Sequence, residues 1–186
     1  MDDLQILALY RARSENAIEE TSRKYGRYCT GIAYNILHSD EDSEECVNDT
    51  WLRAWNTIPP ECPKCLAAFL GRITRNLSLN RLKTMSAAKR GGGQLEAALE
   101  ELRDSVSAPS GVDEAIDGKE LSLLLDRFLA GLPAESRVLF VRRYWYMSSI
   151  HEIATDYGMS ESKVKMSLLR SRNKLRGFLE KEGITL

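Results

Sequence analysis

The stretch "SIHEIATDYGMSESKVKMSLLRSRNKLR", residues 149–176, has the pattern of two helices joined by a tight turn. Ser149 and Glu152 form a capping box, the combination of residues that begins a helix. Gly158 stands where such a turn needs a left-handed residue, and Ser160 can cap the helix that follows. The segment therefore predicts a helix-turn-helix.

The second helix of this segment has an apolar face and a polar, basic face. The apolar face consists of Val164, Leu168, Ser171 and Leu175. We expect the opposite face to enter a DNA major groove, because lysine and arginine neutralise phosphates and the first side chains of such a helix reach base edges. The predicted DNA-binding residues are Ser162, Lys163, Lys165, Met166, Leu169, Arg170 and Asn173. A small helical core with a solvated basic face is the alternative.

Helical spacing of apolar residues continues through most of the remaining chain, and no strand pattern of any length is present. An acidic segment that begins with three glycines interrupts it, with one short helical stretch around Leu99, and this composition favours a linker. We therefore expect an all-α protein of two small helical domains joined by a flexible acidic linker. The N-terminal domain is expected at 1–90, the linker at 91–116 and the helix-turn-helix domain at 117–186.

The net charge of −1 over 186 residues hides an alternation of acidic and basic blocks. Residues 61–94 carry a net charge of +6 and residues 136–186 a net charge of +5, and an acidic block precedes each of them. Two separate basic blocks suggest two contacts with a polyanion. Chance differences in charge between solvated helix faces are the alternative.

The helix predicted over 64–89 supplies the first basic block, and we interpret its polar side as a second DNA surface. Asparagines on this side can pair with base edges or cap local backbone, and a polar groove can hold unstacked bases. The predicted residues of this surface are Lys64, Arg72, Arg75, Asn76, Ser78, Asn80 and Lys83.

The helix predicted over 39–58, with Ser39 as its cap, has an acidic outer face that carries one exposed leucine, Leu52. Charge can orient a protein partner and the leucine can supply an apolar contact, so this face is a candidate docking surface. Ordinary solvated surface is the alternative, since isolated exposed apolar residues are common.

Cys62 and Cys65 have the spacing of a zinc knuckle or a redox pair. Structural zinc takes four ligands, and the other two cysteines, Cys29 and Cys46, stand singly on apolar helix faces. We therefore expect no metal site, and we interpret the two thiols as incidental to the loop that carries them. A thiol or zinc sensor is the alternative.

Neither catalysis nor membrane insertion is indicated. The two histidines fall in different predicted domains, and no nucleophile–base pair or phosphate-binding glycine loop is present. We expect no enzymatic activity and no cofactor. No apolar run reaches the roughly 18 residues of a membrane span, and the N-terminus lacks a signal-peptide pattern, so a cytoplasmic location is expected.

Three segments together resemble one known family. They are "DEDSEECVNDTWLRAWNTI" (40–58), "AFLGRITRNLSLNRLK" (68–83) and "LPAESRVLFVRRYWYMSSIHEIATDYGMSESKVKMSLLRSRNKLR" (132–176). Their order and spacing are similar to those of bacterial RNA polymerase sigma factors of the extracytoplasmic-function (ECF) group. A free-standing helix-turn-helix regulator is the alternative, but no dimerisation heptad is present to support it.

The resemblance implies a division of labour. The N-terminal domain would bind the clamp helices of the largest polymerase subunit through the positions matching Glu44, Glu45, Asn48, Asp49 and Leu52. The third helix and the loop before it would recognise and open the downstream promoter element. The C-terminal domain would read the upstream element as duplex and contact the second large subunit, while the linker would enter the nucleic-acid channel.

The family also raises the expectation of an anti-sigma partner, and no stable homo-oligomer is expected. Two positions depart from many relatives, which have arginine in place of Ser167 and aspartate in place of Asn80. Both departures bear on the promoter sequence and leave the class of activity unchanged.

Overall fold

The computed structural model describes residues 1–88, 93–106 and 118–183. The described residues contain helices and no strand, so the all-α prediction is confirmed. The chain divides into two compact units, Met1–Gly92 and Gly93–Leu186.

The first unit contains four helices. They are α1 (Asp3–Arg11), α2 (Asn16–Leu37), α3 (Asp40–Thr57) and α4 (Leu66–Ala88). Helices α2, α3 and α4 pack on one another and enclose the core, and α1 packs on α2. The Ser39 hydroxyl accepts a hydrogen bond from the Asp42 amide at 3.3 Å, as expected of the α3 cap.

The core of the first unit is apolar with a few paired hydroxyls. Ile32, Trp51 and Leu70 are at most 6% exposed, and burial of each such side chain stabilises the fold by about 1.5–3 kcal/mol. Thr50 and Thr74 join α3 to α4 by a hydrogen bond of 3.1 Å between their hydroxyls. This contact and the apolar packing of α4 against α2 and α3 agree on which side of α4 faces the core.

Helix α1 is held to the rest of the first unit by polar contacts at both of its ends. Near its start, the Asp3 carboxylate accepts hydrogen bonds from Lys24 and Tyr25, each at 2.6 Å. After its end, Arg13 donates to the Trp55 carbonyl at 2.7 Å and its guanidinium lies 5.3 Å from the Trp55 ring centroid. Arg11 donates to the sulfur of Cys62. Helix α1 thus contacts both the end of α3 and the loop that follows it.

The second unit contains five helices in its described part. They are α5 (Gly93–Val106), α6 (Gly118–Gly131), α7 (Ala134–Tyr144), α8 (Ile150–Asp156) and α9 (Glu161–Lys181). Helix α9 contacts each of the others and its apolar face forms the centre of the unit. Phe128 and Phe140 pack edge to face across the core, with ring centroids 5.7 Å apart.

Helix α5 differs from the expected linker. The sequence predicted a linker with one short helical stretch around Leu99, and residues 93–106 instead form a helix that packs against α7 and α9. The Glu101 carboxylate accepts hydrogen bonds from Arg143 (2.6 Å), Tyr144 (2.9 Å) and Arg172 (3.2 Å). The acidic composition that suggested a linker thus serves, at Glu101, to neutralise two arginines of the domain. The remainder of the predicted linker, 107–116, lies outside the described residues.

Candidate nucleic-acid interface

The helix-turn-helix forms as predicted from its caps and turn. The Ser149 hydroxyl accepts from the Glu152 amide at 3.1 Å, and the Glu152 carboxylate accepts from the Ser149 amide at 2.6 Å. Gly158 has φ of +60°, the left-handed value that the turn requires. The Ser160 hydroxyl accepts from the Lys163 amide at 3.2 Å and so begins α9.

The two faces of α9 separate as the sequence indicated. The four residues of the apolar face are at most 4% exposed. All seven residues predicted to contact DNA from this helix are exposed, and Met166 (48%) and Leu169 (40%) stand out as exposed apolar side chains. We refer to these seven residues, Ser162, Lys163, Lys165, Met166, Leu169, Arg170 and Asn173, as the α9 face.

The α9 face borders a groove of about 580 Å³ between α7 and α9. Lys163 pairs across it with Glu135 at 3.1 Å, and both side chains are more than half exposed. An exposed pair of this kind contributes only about 0–1 kcal/mol, so a DNA phosphate can replace Glu135 as the partner of Lys163 at little cost.

The second basic surface lies on α4 and the loop before it, residues 58–65, which we call the α3–α4 loop. Five of the predicted residues on this surface are exposed: Lys64, Arg72, Asn76, Asn80 and Lys83. Arg72 lies 5.9 Å from the ring centroid of Phe69. We refer to these five residues as the α4 face.

Between α4, α3 and the α3–α4 loop lies a groove of about 430 Å³, which we call the α3–α4 groove. Asn76 and Asn80 line it from α4, and Arg53 and Thr57 line it from α3. Glu61 lines it from the α3–α4 loop. Phe69, Ile73 and Leu77 also line the groove, and Phe69 is 7% exposed. The groove therefore combines polar groups that can pair with a base edge and apolar walls.

The acidic face of α3 is exposed along its whole length. Its five predicted docking residues, Glu44, Glu45, Asn48, Asp49 and Leu52, are all exposed, and Leu52 is 57% exposed. Arg81 of α4 bridges Asp42 (2.6 Å) and Glu45 (2.8 Å), so one cation of the α4 helix is already neutralised at this face.

Two domains of one family match the two units. Residues 22–87 match Sigma-70 region 2 and residues 122–175 match Sigma-70 region 4. The "ECF RNA polymerase sigma factor SigL" of Mycobacterium tuberculosis is 30% identical over 155 residues, which cover 82% of this chain and 83% of SigL. The chain belongs to the ECF group of RNA polymerase sigma factors. A further relative, the sigma factor SigE of Mycolicibacterium smegmatis, is 24% identical over 89% of this chain and 62% of that protein.

A solved structure, "Structure of CnrH in complex with the cytosolic domain of CnrY", is 20% identical and covers 97% of this chain and 98% of that chain. Its TM-score of 0.41 is too low to support a comparison of architecture.

The structure corrects two of the predicted DNA contacts in region 2. Ser78 is fully buried, and its hydroxyl donates to the Thr74 carbonyl at 2.8 Å, so it cannot contact DNA. Arg75 is only partly exposed, and burial lowers the pKa of its guanidinium. Arg75 therefore belongs to the margin of the α4 face, and Ser78 belongs to the core.

Some residues of this sigma factor's candidate site were missed by the sequence reasoning. Arg53, Thr57 and Glu61 complete the α3–α4 groove from another helix and a loop. Arg11 and Arg13 hold the α3–α4 loop and the end of α3. These contacts join residues 42 and 51 positions apart, and no local pattern in the sequence signals pairs at that separation.

In the part of the chain that the structure describes, no helix is long and apolar enough to cross a membrane.

Proposed function

We propose that this sigma factor directs core RNA polymerase to its promoters through two DNA contacts, one from each unit, and a polymerase contact from α3. The family-level function, transcription initiation with RNA polymerase, follows from the two matched sigma regions. The proposal assigns that function to particular faces. The observation that carries it is the pairing of a well-formed helix-turn-helix in one unit with a second basic face beside a polar groove in the other.

The α9 face is proposed to read the upstream promoter element as duplex DNA. Ser162, Lys163 and Met166 lie in the first turns of α9, the part of a recognition helix that reaches base edges. Lys165, which flanks the face, and Arg170, which lies about two turns further along α9 than Lys163, are proposed to contact phosphates. Arg172 has another role, because its guanidinium donates to Glu101 and Tyr144 within the second unit.

The α4 face and the α3–α4 groove are proposed to recognise the downstream element and to hold it open. Opening a duplex requires a site that binds unpaired bases better than paired ones. Asn76 and Asn80 are exposed at the groove and can pair with the edge of an unstacked base, while Phe69 lies beside them. Lys64, Arg72 and Lys83 are proposed to neutralise the backbone of the separated strand.

The acidic face of α3 is proposed to bind the clamp helices of the largest polymerase subunit. Leu52 would supply the apolar contact and the surrounding carboxylates would orient the partner. Five predictions accompany this proposal. They are contacts with the second large subunit, entry of the linker into the nucleic-acid channel, an anti-sigma partner, the absence of a stable homo-oligomer and a cytoplasmic location.

The test uses the purified full chain, core polymerase and a promoter identified by mapping transcript starts after overexpression. We expect the chain to bind core enzyme and to give promoter-dependent transcripts. Failure to form a stable complex with core polymerase, together with specific binding to duplex DNA alone, would favour a free-standing regulator instead.

Three pairs of variants separate the faces. Leu52→Ala should weaken core binding by about tenfold, whereas Leu4→Ala, another exposed leucine of the first unit, should not. Lys163→Ala should lower upstream-element affinity by roughly tenfold or more, with Lys181→Ala at the end of α9 as its control. Asn76→Ala should slow promoter opening and leave core binding unchanged.

The control for Asn76→Ala is Thr84→Ala, an exposed change two turns further along α4. If a test variant and its control have equal effects, the role proposed for that face is refuted.

A further inference from the structure

We propose that Cys62 and Cys65 form a reversible oxidation site, a dithiol that closes to a disulfide when it meets a hydroperoxide and thereby blocks promoter opening. The effect on promoter opening rests on the proposed function of the α3–α4 groove. The thiol chemistry rests on the cysteines themselves and can be measured without polymerase.

The four cysteines of the chain fall into two classes. Cys29 and Cys46 are 0% and 2% exposed, and burial raises the pKa of both thiols. Cys62 and Cys65 are exposed and free. Since the thiolate is the nucleophile and must be reached by the oxidant, the exposed pair is the site where oxidation begins.

The two exposed cysteines have different neighbours. Arg11 donates a hydrogen bond from its guanidinium to Sγ of Cys62. Cys65 stands at the N-terminus of α4, where its carbonyl accepts the first helical hydrogen bond, from the Phe69 amide at 3.1 Å. Because Cys62 has the guanidinium contact, we assign the attack to Cys62 and the second step to Cys65.

The chemistry needs only a hydroperoxide. The Cys62 thiol attacks the peroxide, its sulfur takes one oxygen to become a sulfenic acid, and water leaves. The Cys65 thiol then attacks the sulfenic sulfur, an S–S bond forms, and a second water leaves. Hydrogen peroxide is reduced to two waters as two thiols become one disulfide, and a dithiol reductant reverses the change.

Metal binding is a poorer use of this pair. Structural zinc takes four ligands, and the described residues contain no group of three or more histidine, cysteine, aspartate or glutamate side chains placed to hold a metal ion. Two exposed thiols without further ligands are suited to redox chemistry instead.

The position of the pair connects oxidation to DNA. Glu61, the residue before Cys62, lines the α3–α4 groove, and Cys65 is followed directly by α4. A disulfide across these four residues constrains the segment that joins the groove to the α4 face. It also changes the sulfur that Arg11 contacts from a thiol to a disulfide sulfur, so the contact between the loop and α1 is altered.

The chemical arm of the test treats the full chain with hydrogen peroxide, blocks the remaining thiols and maps the peptides by mass spectrometry. We expect the peptide with Cys62 and Cys65 to lose two hydrogens while Cys29 and Cys46 remain thiols. Cys65→Ser should stop at a sulfenic acid on Cys62, which dimedone traps.

Arg11→Ala should slow the oxidation severalfold. Its matched control is Arg23→Ala, which removes a surface arginine paired with Glu19 and Glu20 and should leave the rate unchanged. Equal rates in the two variants, or oxidation of the buried cysteines as fast as the exposed pair, would overturn the assignment.

The functional arm measures promoter opening with core polymerase. Oxidised protein should open promoters several times more slowly than reduced protein, and a dithiol reductant should restore the rate. The double variant Cys62→Ser/Cys65→Ser should open promoters at a rate that peroxide does not change. If oxidised protein opens promoters at the reduced rate, the switch is refuted. If reduced protein opens none, the proposed function fails, and the mass measurement still decides the thiol chemistry.

Discussion

The Glu101 contacts provide the sharpest prediction about stability. Replacing Glu101 by glutamine keeps the size of the side chain and removes the negative charge that Arg143 contacts. Arg143 is 2% exposed, while Glu101 is 25% exposed. The neighbouring change Glu100→Gln is the matched control, because Glu100 pairs with Arg103 and both of those side chains are more than half exposed.

The expected magnitude follows from burial. Removing one partner of a fully buried ion pair costs about 3–5 kcal/mol. Glu101 keeps partial contact with water, so we expect about 2–3 kcal/mol from its charge-assisted hydrogen bonds. The control should cost less than about 0.5 kcal/mol, as is usual for exposed pairs.

The same contacts predict an acid-sensitive component of stability. Burial acts to raise the pKa of Glu101, but the hydrogen bond and charge of Arg143, with help from Tyr144 and Arg172, outweigh it and leave the pKa lowered. A carboxyl with a lowered pKa stabilises the fold above its ordinary value of about 4.3. This contribution is lost as the pH falls from that value through the lowered folded value. Glu101→Gln should therefore flatten the acid dependence of the second unit.

Hydrogen exchange of the full chain, read by mass spectrometry on peptides of α5 and α7 in increasing urea, measures the local free energy of opening. Overall unfolding curves would mix the two units, which need not unfold together. Glu101→Gln should lower the opening free energy of both helices, and Glu100→Gln should leave them unchanged. Equal exchange in the two variants would refute the role assigned to Glu101.

Three further changes test the local structure of the second unit by the same hydrogen-exchange measurement, read on peptides of α8 and α9. Gly158→Ala forces a side chain onto a left-handed residue and should cost about 1–2 kcal/mol; an unchanged opening free energy would contradict that turn. Ser149→Ala removes the cap of α8 and should cost about 1 kcal/mol. Ser149→Asp should retain most of the stability that the cap supplies, because an aspartate can also cap a helix. Leu168→Ala leaves a cavity in place of a side chain that is 1% exposed and should cost about 2–5 kcal/mol. Leu169→Ala shortens an exposed side chain and should have a negligible cost.

The helix-turn-helix was predictable because its signals are local. The capping box spans residues 149–152 and the second cap spans 160–163, with the turn glycine between them, and the apolar stripe of α9 repeats at helical spacing. The structure keeps Ser149, Gly158 and Ser160 in the roles that the sequence indicated.

The position of Ser78, by contrast, could not be predicted from local sequence signals. On a helical wheel it stands beside polar residues of α4, and only the packing of α2 and α3 decides that this part of the helix is covered. Its hydroxyl is satisfied by the carbonyl one turn back, so a serine can be buried there without a penalty. A pattern based on polarity cannot separate such a serine from an exposed one.

The packing of α5 was not predicted, for a different reason. A short helical stretch was expected around Leu99, but its acidic composition favoured a linker. Its docking depends on Arg143 and Arg172, which lie 42 and 71 residues away from Glu101. The lining of the α3–α4 groove could likewise not be predicted from the sequence, because it comes from two helices and a loop. Contacts across long stretches of sequence form both features.

The docked position of α5 also sets how far the two units can separate. Helix α4 ends at Ala88 and α5 begins at Gly93, so four residues connect the first unit to a helix fixed on the second. At about 3.5 Å per extended residue, such a connection reaches on the order of 15 Å. Release of α5 would let all 29 residues between Ala88 and Gly118 extend, with a maximum reach on the order of 100 Å. The contacts of Glu101 with Arg143, Tyr144 and Arg172 thus determine whether the residues of α5 count towards the connection between the two units.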